Sequence, residues 1–202
     1  ETEKMKKAEF ILGALVLVGL LLKYFKIPFG GAILVISTTF LAVLYYPLGF
    51  ILLNGIRSRD LFRSTAFKNT NWKSILVPLV VGFALAVALI GILFKVQIWP
   101  SGDFILGVGL ILCFLSSTLS IFFLLKKQSV FAKRVLLRTG LLTGLGLSLF
   151  LISDDTLIDH FFAERSKEYR ETMKQLQENS GNRDLQNKLM KLDKQHYESI
   201  GD

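Results

Sequence analysis

The densest set of chemically capable side chains in the sequence is Ser153-Asp154-Asp155-Thr156, followed by Asp159-His160. Asp155 and Asp159 stand four residues apart, so a helix would put both carboxylates on one face, where they could offer oxygen ligands to a divalent cation. The same residues also spell a helix start. Ser153 or an Asp would serve as N-cap, and the acidic groups would sit at the positive end of the helix dipole. The capping reading outweighs the metal reading. His160 and His196 are far apart, and neither has a second His or a Cys at ligand spacing, so both read as solvated tail residues. The one cysteine, Cys113, lies in an apolar run and can form no intrachain disulfide. The chain contains no Walker loop, Rossmann glycine pattern, Gly-x-Ser-x-Gly elbow or His-Glu-x-x-His pair. No catalytic residue, cofactor or metal site is expected, and the chain reads as a non-enzyme.

Two lysines form the next candidate group. Lys26 and Lys95 follow a phenylalanine at the ends of apolar runs, and Trp99 lies close behind Lys95. The expectation is contact with a lipid phosphate or a partner through Lys26, Lys95 and Trp99, against interface snorkelling as the plainer alternative. A third group is hydroxylic: Ser37, Thr38 and Thr39 in one apolar run and Ser116, Ser117, Thr118 and Ser120 in another. These would line a polar path or, more commonly, bond to their own helix backbone.

The elements that must hold these residues are membrane helices. Of 202 residues 51% are hydrophobic and 20% charged, with a mean hydropathy of +0.49, more apolar surface than one small soluble domain hides. A span takes roughly 20 apolar residues, and five fit, over about 8–28, 30–53, 75–94, 104–125 and 135–152. The first is short and relies on Lys23 snorkelling and on Phe25, Ile27 and Phe29 for length. Tyr45-Tyr46-Pro47 marks an interface end or kink of the second, and Arg138 in the first turn of the fifth would snorkel back to the headgroups. The basic-then-apolar N-terminus lacks a cleavage site and reads as a retained span. Because the sequence begins at Glu1 rather than Met, further residues are expected ahead of it.

The net charge of +8 is a topology signal, not a nucleic-acid footprint, because the basic residues sit between apolar runs. Lys4, Lys6 and Lys7, then Arg57, Arg59, Arg63, Lys68 and Lys73, then Lys126 to Arg134 fall on one side of five spans, with Lys23, Lys26 and Lys95 on the other. The N-terminus is expected in the cytoplasm and the C-terminus outside, in the periplasm if the membrane is a bacterial inner membrane. Gly140, Gly144 and Ser148 form a small-residue row, expected to pack against another span, with a homo-oligomer seam as the alternative.

Residues 1–153 thus form a transmembrane domain and 154–202 an external helical tail, broken at Asn179-Ser180-Gly181-Asn182. Phe161, Phe162, Tyr169, Met173 and Leu176, with Leu185, Leu189 and Leu192, give the tail an apolar face for a partner or for its own membrane half.

Phe25-Lys26-Ile27-Pro28-Phe29-Gly30-Gly31 and Phe94-Lys95-Val96-Gln97-Ile98-Trp99-Pro100-Ser101-Gly102 read alike, each joining two spans by a short turn. The fold expected is therefore an all-α membrane protein of two similar hairpins, one further span and the tail. The second of these turns resembles that of the GldL family, the membrane subunit of the gliding-motility and type IX secretion motor of Bacteroidota. The resemblance covers about 40 residues, from Ala84 to Leu125, with a weaker echo over 13–46. It implies a bacterial inner membrane and a lineage. That family's proton-carrying carboxylate has no counterpart inside these spans, since Glu9 and Asp103 lie at edges, so the motor activity does not carry over.

Three functions remain: a non-enzymatic inner-membrane subunit or scaffold, held by its spans and tail among membrane-protein partners; a small transporter or channel built from the repeated hairpins; and, weakest, a lipid-acting enzyme. The missing buried charge favours the first.

Overall fold

In the computed structural model the described residues are 2–46, 72–125 and 129–201. Among them every regular element is a helix. They are α1 (Thr2–Tyr24), α2 (Gly30–Tyr45), α3 (Trp72–Gln97), α4 (Gly102–Leu125), α5 (Ser129–Phe150), α6 (Asp154–Phe161), α7 (Lys167–Glu178) and α8 (Arg183–Gly201). The basic residues Arg57, Arg59, Arg63, Lys68, Lys126 and Lys127 lie outside the described residues, as does the expected second span beyond residue 46.

Among the described residues two segments are long and apolar enough to cross a membrane, Val77–Gln97 and Gly102–Phe122. A third arises if α5 and α6, which meet at 82°, count as one bent span. α2 is apolar but shorter. The exterior of these helices is apolar, with Phe10, Leu17, Phe40, Phe114, Leu137 and Leu141 all exposed, an arrangement that suits lipid and not water.

α1 folds back on α2, and α3 on α4, through turns of the same backbone design. At the end of α1, Lys26 N–H donates to the Lys23 carbonyl and Ile27 N–H to that of Leu22; at the end of α3, Ile98 N–H donates to Lys95 and Trp99 N–H to Phe94. Both are helix C-caps that require a left-handed residue, and Lys26 (φ 57°) and Ile98 (φ 57°) take it. The apolar contact that accompanies such a cap is visible as Trp99 packed edge-on against Phe94 at 4.9 Å. Pro28 and Pro100 then prevent the helix from continuing.

Gly30 and Gly102 close each turn, donating to Ile27 and Trp99. A Cβ would stand 2.6 Å from Lys23 N at Gly30 and 3.0 Å from Lys95 N at Gly102. Further in, Gly19 lies against the Leu34 backbone as Gly91 does against Leu106. Every one of these equivalent positions is 72 residues from its counterpart. That register corrects the alignment of the two Phe-Lys pairs. Lys95 is equivalent to Lys23, and Lys26 to Ile98.

The main core runs between α2, α3, α4 and α5 around Leu34, Leu85, Leu89, Ile92, Leu106 and Val135. A second, smaller core joins the tail to the bundle: Leu157 and Ile158 of α6 bury against Ile98, with Phe161, Phe162 and Met173 packed around them. The tail therefore lies across the turn end of its own bundle. α8 pairs with α7 beyond the expected break, where Asn182 Oδ1 accepts from Asp184 and Leu185 N–H at 3.0 and 3.3 Å and caps α8.

Candidate functional site

Among the described residues the charged side chains of the bundle gather toward its two ends. At the turn end, Lys95 in the last turn of α3 is 1% exposed. Its Nζ lies 2.6 Å from Asp103 Oδ1 and 2.6 Å from Asp154 Oδ1. Asp103 is in the first turn of α4 and Asp154 in the first turn of α6, where helix dipoles favour an acid. One ammonium thus ties three helix ends together. A buried cation without such partners would be strongly disfavoured, so the two carboxylates make this burial possible.

Next to it, Lys23 donates to Gln97 Oε1, and Gln97 Nε2 donates to the Gly31 carbonyl at 3.0 Å. The Lys23 ammonium also lies 5.1 Å from the centre of the Phe161 ring. His160 Nε2 is 2.9 Å from the Tyr24 carbonyl, and its ring stacks on Tyr24. Gln177 of α7 donates to the Ile98 carbonyl at 2.6 Å. The tail in this way touches both turns, and leaves Phe25, Ile27 and Phe29 of the first exposed.

At the opposite end, Arg138 of α5 meets Glu9 of α1 in a two-pronged pair, Nε to Oε1 at 2.5 Å and Nη2 to Oε2 at 2.6 Å. Tyr45, at the end of α2, donates its hydroxyl to Glu9 Oε1 at 2.7 Å. The two ionic side chains are each 14% exposed. Arg138 also donates to the Arg134 carbonyl. The expectation that Arg138 snorkels to headgroups is corrected: a partnered guanidinium inside the protein loses less than an exposed one held in an apolar layer, and its planar fork matches a carboxylate. Glu9, read from the sequence as an edge residue, is that partner. Between the two ends, residues 10–22, 77–94, 104–125 and 139–150 contain no Asp, Glu, Lys, Arg or His.

Comparison with protein-family models, curated proteins and solved structures finds no match for this chain.

The remaining candidates divide as follows. Ser153 Oγ accepts from Thr156 N–H at 3.3 Å and caps α6, while Asp159 bonds Lys174 at 2.7 Å, with Arg170 at 3.7 Å. Asp154 and Asp159 thus serve ion pairs, while Asp155 is exposed. Among the described residues no three potential metal ligands cluster. The hydroxyls of Ser37, Thr118 and Ser120 bond carbonyls four residues earlier in their own helices. Ser117 does so too, and also meets Thr139 Oγ1 at 2.8 Å. Trp99 packs on Phe94 at the turn and is exposed on its other side.

Among the described residues nothing packs on the small-residue row: a Cβ at Gly140 or Gly144 would meet nothing within 4 Å, and Ser148 is exposed. The glycine of α5 that does pack is Gly146, against Leu110 and Leu106. Leu185, Leu189 and Leu192 are half-buried on α8, which pairs with α7.

Proposed function

We propose that the chain is a non-enzymatic membrane subunit or scaffold, whose five bundle helices cross a bacterial inner membrane as two hairpins and one further span. The observation that carries this reading is the placement of charge. Each ionic cluster joins separate helices, and among the described residues the apolar layer between has no Asp, Glu, Lys, Arg or His to pass a proton or ion along. On α5 that layer covers residues 139–150, roughly 18 Å at 1.5 Å per residue. Clusters of this kind serve to fix a shape.

The GldL-like turn at Phe94–Gly102 connects the shape to gliding motility or type IX secretion, and partners would be membrane proteins meeting the outer faces of the spans and the tail. On this reading the N-terminus is cytoplasmic and the tail periplasmic, since the basic loops fall on one side. Solubilisation in a mild detergent tests it: a scaffold elutes with stoichiometric membrane-protein partners, whereas a chain that elutes alone at every detergent strength contradicts the proposal.

The alternative, a small transporter or channel, draws on the 72-residue repeat of the helix pairs, an organisation common in transporters. It requires a polar path past Thr38, Ser116 and Ser117. Transport by the purified chain would decide for it.

A further inference from the structure

The two repeats treat equivalent lysines differently. Lys95 is neutralised by Asp103 and Asp154, each at 2.6 Å. In the first repeat the position of Asp103 is taken by Gly31, 72 residues earlier. A Cβ built on Gly31 would point at Gln97, 3.4 Å from its Nε2. The Gln97 amide therefore fills the place of the missing carboxylate and gives Lys23 an acceptor without a negative charge. Among the described residues no carboxylate stands within 4 Å of the Lys23 ammonium, which is half-buried against Gln97 and Phe161. A half-buried cation with a neutral acceptor is electrostatically incomplete.

The surroundings indicate what completes it. Tyr24, Phe25, Ile27 and Phe29 are all exposed on this turn, Phe29 by 80%, and Lys26 is exposed between them. An aromatic and apolar rim bearing a second lysine belongs at the headgroup level of a bilayer, where phosphate is the abundant anion. We infer that the first turn is an anionic phospholipid site, with the lipid phosphate on Lys23, assisted by Lys26, and its glycerol and upper acyl chains against Phe25, Ile27 and Phe29. The lipid phosphate would supply to Lys23 what Asp103 supplies to Lys95. This inference rests on the membrane setting and not on the scaffold reading.

The test is native mass spectrometry of the purified full chain titrated with phosphatidylglycerol or phosphatidylcholine, with inorganic phosphate as a competitor. The wild-type chain should bind phosphatidylglycerol at least about tenfold more tightly than phosphatidylcholine, the scale of one charge-assisted hydrogen bond. Lys23→Gln should remove that preference. Gly31→Asp keeps the lysine and gives it an internal carboxylate, displacing only the flexible end of Gln97, and should remove the preference as well. Retention of the preference by either variant, equal binding of the two lipids by the wild type, or displacement of the lipid by millimolar inorganic phosphate would overturn the assignment.

Discussion

Lys95 holds a positive charge at 1% exposure while one of its two partners, Asp103, is half in solvent at 51%, and this asymmetry orders the effects of mutation. Asp103→Asn with Asp154→Asn leaves the ammonium buried without a counter-charge, and chemical unfolding in detergent should show a loss of about 3 kcal/mol or more. Lys95→Met leaves carboxylates able to turn outward and should cost less than the double substitution. The reverse order would contradict the geometry. At the other end, a double-mutant cycle of Glu9→Gln and Arg138→Met should return a coupling of about 2 kcal/mol, because the pair is two-pronged and mostly buried; near-additive losses would mean the pair does not form. Neither cluster was legible from sequence, since Glu9 and Arg138 are separated by 129 positions and each, taken alone, reads as an interface residue. Read from the sequence, Lys26 is set over Lys95 and the equivalence of Lys23 and Lys95 is missed, although the residues carry it. Pro28 with Gly30, set over Pro100 with Gly102, gives the register directly, whereas matching Phe-Lys dipeptides shifts it by three.

The helix pairs depend on close backbone approach. A Cβ at Gly91 would sit 2.5 Å from Leu106 Cα, and one at Gly109 2.5 Å from Ala88 Cα, contacts that main chain cannot avoid. Gly91→Ala and Gly109→Ala should each destabilise by about 1–3 kcal/mol, the usual range for overpacking. Gly140→Ala, which meets open space, should leave the melting temperature unchanged or slightly raised. Thermal unfolding of the three variants checks this, and equal effects would show that the packing is wrong. Helix locations in the apolar runs followed from hydropathy, and the tail break at 179–182 followed from its turn residues. The packing face of α5 did not, because spacing alone gives Gly140-Gly144-Ser148 and Gly146 no order of preference; what decides is which side meets Leu106 and Leu110.

At the scale of the molecule, the tail and the bundle form one body at the turn end through Asp154, Ile158, His160 and Gln177. Truncation after Phe162 removes α7 and α8 with the Gln177 bond but keeps Asp154 and Ile158, so the shortened chain should still insert and accumulate, with a lower melting temperature; failure to insert would show that the tail is needed to build the bundle. The all-helical, membrane-suited character was plain from composition, while the tail's docking onto its own turns depended on Ile98 and Ile158, which look unremarkable in the sequence. The central claim is that the ionic clusters fix a shape and do not relay charge. Purified protein in liposomes with an imposed pH gradient tests it most directly: the account predicts that the gradient decays at the rate of protein-free vesicles, and a rapid collapse that depends on the protein would contradict it.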